Sequence, residues 1–120
     1  MKNERSKLAK EQFTVSGAPG KGKITVDMGS VKRAALSLRA INHPLRKKLL
    51  ELIDTKGKVP VTDLYTKLRI EQSVCSQHLA ILRRANIVST KRDGKRIYYS
   101  LNGKQIAEIA DLASNLAEQV

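Results

Sequence analysis

Four residues, RIEQ at 69–72, are all that separates two short stretches of helical period, DLYTKL at 63–68 and SVCSQHLAILRRA at 73–85. Two helices joined by so short a turn must cross steeply and share one small core, the geometry of a helix-turn-helix. With Leu79 at zero on a helical wheel, Leu79, Cys75, Leu82, His78, Ala85, Val74 and Ile81 fill one arc. Gln72, Arg83, Ser76, Ala80, Ser73, Arg84 and Gln77 fill the other. The first arc belongs in a core. The second puts small hydroxyls and amides at the N-terminal end of a helix, where they suit base edges and phosphate.

The flanking pattern completes a mainly α chain with one small hairpin. VKRAALSLRAI (31–41) forms a first helix with Ser30 as its expected N-cap and Val31, Ala34, Ala35, Leu38 and Ile41 on one side. PLRKKLLELIDTKG (44–57) forms a second, opened by Pro44 and closed by Gly57. Thr62 is placed to cap the third, and Asn86 to end the fourth in the left-handed region. IVSTKRDGKRIYYSL (87–101) alternates on both sides of RDGK, and Asp-Gly between such runs marks a hairpin. Asn102 caps a last helix with Ile106, Ile109, Ala110, Ala113, Leu116, Ala117 and Val120 in a stripe. The expected order is α-α-α-α-β-β-α over residues 30–120. Residues 1–29 lack a sustained period and contain SGAPGKGK, which reads as a flexible basic N-terminal tail; KITVDM (23–28) alone within it has the pattern of a short strand.

Charge narrows the partner. The chain carries a formal net charge of +12, which favours a polyanion. Residues 44–101 hold thirteen Lys/Arg against five acids, whereas 102–120 hold one against three. The excess therefore lies on the helix-turn-helix and hairpin, with Arg83 and Arg84 on the fourth helix and Lys91, Arg92, Lys95 and Arg96 at the hairpin tip. Such a tip meets a phosphate backbone beside a helix in the major groove. Membrane binding would need a long basic amphipathic helix instead, and no run of apolar residues has the length of a span. With neither a span nor an apolar leader segment, the chain is expected in the cytoplasm. The four aromatic residues, Phe13, Tyr65, Tyr98 and Tyr99, are too few for a single-strand stacking platform.

HPLR (43–46), QSVCSQHLAILRRANIV (72–88) and DGKRIYYSL (93–101), in that order, resemble the ArsR family of bacterial winged-helix repressors over about Ala35 to Leu101. The resemblance implies a homodimer joined through the first and last helices, with the fourth helix reading double-stranded DNA of roughly palindromic sequence and the hairpin as its wing. Gln72, Ser73, Ser76 and Gln77 match the motif positions that contact DNA in that family, and Asn86 stands where the family usually has glycine. The family's usual metal sites are not matched. The stretch VPVTDL offers Pro60 and Thr62 where a Cys-x-Cys pair would begin the third helix, and no histidine follows Asn102. No metal and no cofactor is expected, and the sequence names no inducer.

His43, Cys75 and His78 are the remaining candidates for chemistry. His43, just before Pro44, reads as a helix cap, and His78 as a packed histidine or a phosphate contact. Cys75 admits two readings. It is a small core hydrophobe, or a redox switch whose thiol is activated by the helix N-terminus and neighbouring cations. Enzyme readings fail: GAPGKGK lacks the strand and the Ser/Thr of a phosphate loop, and Ser73 or Ser76 near His78 is mere helical proximity. The alternative to DNA binding is a winged-helix module docking a protein or structured RNA.

Overall fold

The computed structural model describes residues 11–20 and 22–120. The elements run β1 (Gln12–Ser16), β2 (Lys23–Asp27), α1 (Met28–Ile41), α2 (Pro44–Lys56), β3 (Val59–Pro60), α3 (Val61–Leu68), α4 (Gln72–Arg84), β4 (Val88–Asp93), β5 (Arg96–Leu101) and α5 (Gly103–Ala117). The chain forms two compact units, one up to Ala35 and one over Leu36–Val120.

The first unit departs from the expected tail. β1 and β2 pair antiparallel from Gln12↔Asp27 to Ser16↔Lys23, and Gly17 donates to the Gly22 carbonyl at 2.8 Å to close the loop. Phe13 and Val15 on β1 lie opposite Val26 and Ile24 on β2, one apolar face of the hairpin, while Thr14 and Thr25 hydrogen-bond on the other at 3.0 Å. The part of the tail expectation that covers residues 1–10 lies outside the described residues. Helix α1 begins directly at Met28, so the boundary expected between residues 29 and 30 falls inside it. Its cap is Asp27 rather than Ser30: the carboxylate accepts from the Gly29 N–H at 3.0 Å and from the Ser30 hydroxyl at 2.8 Å. Those bonds, with Arg33 nearby, hold the Asp27 carboxyl below its usual range.

The second unit is a winged helix-turn-helix, mainly α with a small antiparallel sheet. Leu49 and Ile53 of α2, Leu64 of α3, and Cys75, Leu79 and Leu82 of α4 are buried together with Ile87, Val88 and Ile109. Helix α2 starts as expected: Pro44 opens it and His43 Nδ1 accepts from the Leu45 N–H at 3.1 Å. Helix α3 starts at Val61 with Pro60 before it and no side-chain cap, so Thr62 does not cap it. The reason is β3, a two-residue strand whose Val59 and Pro60 pair with Tyr99 and Tyr98 of β5 and fix where the helix can begin. Proline is tolerated there because the strand lies at the edge of the sheet, order β3-β5-β4.

Both helices of the helix-turn-helix end alike. After α3, Arg69 has φ 56°, with its N–H donating to Thr66 and that of Ile70 to Tyr65. After α4, Asn86 has φ 61°, with its N–H donating to Arg83 and that of Ile87 to Leu82. Each is a Schellman ending built on a residue other than glycine. Replacing Asn86 by alanine should lower stability by about 1 kcal/mol, because a Cβ without a compensating side-chain amide is strained there. Asn86→Gly should hold or raise the urea midpoint, and an equal fall for both variants would contradict this account of the turn.

Candidate nucleic-acid interface

Helix α4 presents the two faces that its sequence period demands. Cys75, Leu79 and Leu82 are buried, and Val74, His78 and Ile81 are partly covered. Gln72, Ser73, Ser76, Gln77, Ala80, Arg83 and Arg84 are exposed. Glu71, extended at the N-cap, makes no side-chain cap bond, so the first-turn N–H groups are left for solvent or an anion. At the other end three bonds tie α4 to α5. Asn102 Nδ2 donates to the Asn86 carbonyl at 3.0 Å, Gln105 Nε2 to the Ala85 carbonyl at 3.0 Å, and the Asn102 N–H to the Ile87 carbonyl at 2.9 Å. Asn102 also caps α5 as expected, its Oδ1 accepting from the Gln105 N–H at 3.3 Å.

The wing turns through Gly94 and Lys95, with Asp93 paired to Arg96. Gly94 has φ 65°, a left-handed first turn residue that suits the twist of a two-residue hairpin loop. Strand alternation then sorts the tip cations. Lys91 and Arg96 share a face with Tyr98, whereas Arg92 lies on the opposite face with Ile97 and Tyr99. Tyr99 joins Ser76, Ala80, Arg83 and Arg84 in lining a concave strip between wing and helix. No local pattern points to Lys58, whose Nζ lies 4.7 Å from the centre of the Tyr98 ring and adds a cation to the Lys91 side of the wing. Its position depends on β3, which is too short to leave a periodic pattern.

Among the described residues the ion pairs are Lys32–Glu11 and Arg33–Asp27, so none holds a cation of α4 or the wing. Among the described residues Arg83 meets no acid, and Arg84 makes a 3.3 Å bond to the Ala80 carbonyl of its own helix.

Cys75 is 0% exposed, and burial pushes its thiol above the ordinary range. A raised thiol is the opposite of what a redox switch needs. His78 is drawn the other way, its imidazole held below the ordinary range by burial, then by His43 and Arg46. Arg46 Nη1 lies 3.2 Å from His78 Nδ1. Since guanidinium only donates, His78 Nδ1 accepts and the ring is neutral.

The family profile described as bacterial regulatory protein, arsR family, matches residues 43–90. An uncharacterised HTH-type transcriptional regulator of Mycobacterium tuberculosis, Rv0081, is 33% identical over 89 residues, 74% of this chain and 78% of that one. The chain belongs to the ArsR family. It is a winged-helix transcriptional regulator, as these relatives are, and not an enzyme. The transcriptional repressor SdpR of Bacillus subtilis is 39% identical over 64 residues, 53% of this chain and 70% of its own. The crystal structure of NolR from Sinorhizobium fredii superposes with a TM-score of 0.59 at 36% identity, covering 73% of this chain and 87% of that one. This ArsR-family chain thus shares the winged-helix fold of such regulators. Among the described residues no helix is long and apolar enough to cross a membrane.

Two measurements check Cys75 and His78. Hydrogen peroxide should leave the folded protein's Cys75 unmodified at concentrations that oxidise it in urea, and equal rates in both states would restore the switch reading. His78, with a lowered folded pKa, contributes stability that is complete above about pH 6.5 and is lost as pH falls through its folded value. The urea midpoint should therefore decline in mild acid, and less so in His78→Gln.

Proposed function

We propose that this regulator is a cytoplasmic homodimeric repressor that reads a roughly palindromic duplex operator with the N-terminal half of α4. Gln72, Ser73, Ser76 and Gln77 contact bases or orient on phosphates. Arg83, Arg84, Lys91, Arg92, Lys95 and Arg96 supply phosphate contacts, which give affinity and salt dependence while the short polar side chains give selectivity. The observation that carries this reading is the exposed face of α4, polar along its whole N-terminal half and flanked by cations that pair with no acid among the described residues. A protein-docking face would offer apolar anchors, and Ala80 is the one apolar side chain on this face of α4. The alternative use, docking a structured RNA, is tested by competition between duplex RNA and duplex DNA at low salt.

Dimerisation is supported by what the single chain leaves uncovered. Leu36 on α1 is 46% exposed and Leu116 on α5 is 55% exposed, and Ala110, Ala113 and Ala117 of the α5 stripe are exposed beside it. Two-fold symmetry would set the two α4 helices about 34 Å apart, one turn of B-form DNA. Repression follows from occupying such a site, and the name of the relative SdpR agrees with that sign. The sensing mode proposed is not one of the family's usual metal sites. Each imidazole near α4 accepts at Nδ1, His43 from the Leu45 N–H and His78 from Arg46, and an Nε2-bound metal would need a proton at both those atoms.

Selection of bound sites from a random duplex pool should recover a palindrome with half-sites one turn apart. On that site, Gln77→Ala should reduce discrimination against random DNA by about 1 to 3 kcal/mol. Arg92→Ala should weaken all duplexes alike and lower the salt slope by about one. An equal loss on specific and random DNA for Gln77→Ala would remove α4 from the reading role.

A further inference from the structure

The HPLR signature contains a residue that DNA contact does not explain. Arg46, on α2, is partly buried and gives its donors to two other helices. Nε donates to the Ala40 carbonyl at 2.6 Å and Nη2 to the Arg39 carbonyl at 3.2 Å, both in the last turn of α1. Nη1 reaches His78 Nδ1 on α4. A planar fork with fixed donor directions is well suited to lock three elements at once, where a lysine would reach only one. His43, the cap of α2, packs its ring against His78 with centroids 4.7 Å apart and planes at 49°.

We propose that Arg46 is a positioning residue for operator recognition: it fixes α4 against the end of α1, and protonation of His78 releases that hold. The proposal rests on α4 being the reading helix and α1 a dimer helix. Under that reading, Arg46 links the element that sets the separation of the two reading helices to the helix whose side chains must meet base edges. The C-terminal end of α4 is held separately, by Asn102 and Gln105. Loss of the Arg46 bond therefore leaves the N-terminal half of α4 held by the apolar packing of Cys75 and Leu79, while polar bonds still hold its C-terminal end, and Gln72 to Gln77 move most.

Proton chemistry makes the bond breakable. A neutral His78 accepts at Nδ1; a protonated one has no acceptor and sets a positive charge against Arg46. Among the described residues the charged and titratable groups that reach His78 are His43 and Arg46, both on the α2 side and both basic, with no carboxylate beside them to compensate the added charge. Base contacts need placement within roughly 0.5 Å, whereas long lysine and arginine side chains follow a phosphate through larger shifts. The signature is thus a loss of specific binding with non-specific binding retained.

The test measures affinity for the selected operator and for random duplex of equal length at about pH 7.5 and about pH 5.5, either side of the ordinary imidazole range. Arg46→Ala should lower operator affinity about tenfold and leave random-duplex affinity within about twofold. The wild-type ratio of operator to random affinity should fall in acid. His78→Asn, whose amide oxygen occupies the place of Nδ1 and accepts from Arg46 at any pH, should keep the neutral-pH ratio and lose the acid sensitivity. A flat wild-type ratio, an equal loss on both duplexes for Arg46→Ala, or acid sensitivity that survives in His78→Asn would overturn the proposal. If Arg46→Ala does not fold, the wild-type and His78→Asn profiles decide. If Gln77→Ala is selective and Arg46→Ala is not, positioning alone fails; if neither is, the reading helix fails with it.

Discussion

Burial of one side of α4 is the constraint on which the rest depends. Cys75, Leu79 and Leu82 are fully enclosed against Leu49, Ile53, Leu64, Ile87 and Val88, so the helix has one rotation about its axis. Close packing makes that rotation stiff, because turning the helix by one residue would expose a leucine and bury a glutamine or serine. Everything presented to a ligand follows from it. The outer face carries hydroxyl and amide groups because the inner face has taken the apolar ones. The same packing encloses Cys75 and holds its thiol above the ordinary range, although it lies in the first turn of a helix with basic neighbours.

Rotation alone does not set translation, and here polar groups matter more than their number implies. The C-terminal end of α4 is fixed by side-chain amides that satisfy carbonyls left over by its Schellman ending. Its middle is fixed by a guanidinium that also satisfies the last carbonyls of α1. In both places the orphan carbonyls of one helix become the attachment points of the next. A helix ending is thus also a joint, and the joint at Arg46 includes a titratable acceptor.

The winged helix was legible in the sequence because its parts obey local rules. The α4 wheel, the His43 and Asn102 caps, the left-handed Asn86 and the Asp-Gly hairpin each express a period or a turn chemistry contained within a few residues. What escaped lacked such a local signal. Val59 and Pro60 form a strand only because β5 lies beside them, and that pairing moves the cap of α3 from the expected Thr62 to Pro60. KITVDM carried the pattern of its strand, but its pairing with QFTVS was hidden by GAPGKG, whose composition is that of a linker. Within the interface, the exposed residues of α4 could be assigned from periodicity, but the division of Lys91 and Arg96 from Arg92 needed the strand register. Arg46 could not be read at all, since its partners are carbonyls and a histidine on other helices.

The most direct test of the central claim is a map of backbone amide shifts in isotope-labelled protein titrated with its selected operator. The account predicts the largest changes at residues 72–80 and around Gly94, with the core-facing residues Leu79 and Leu82 moving less than Ser76 and Gln77. Changes centred on α5, or spread over α4 without distinction between its two faces, would contradict it.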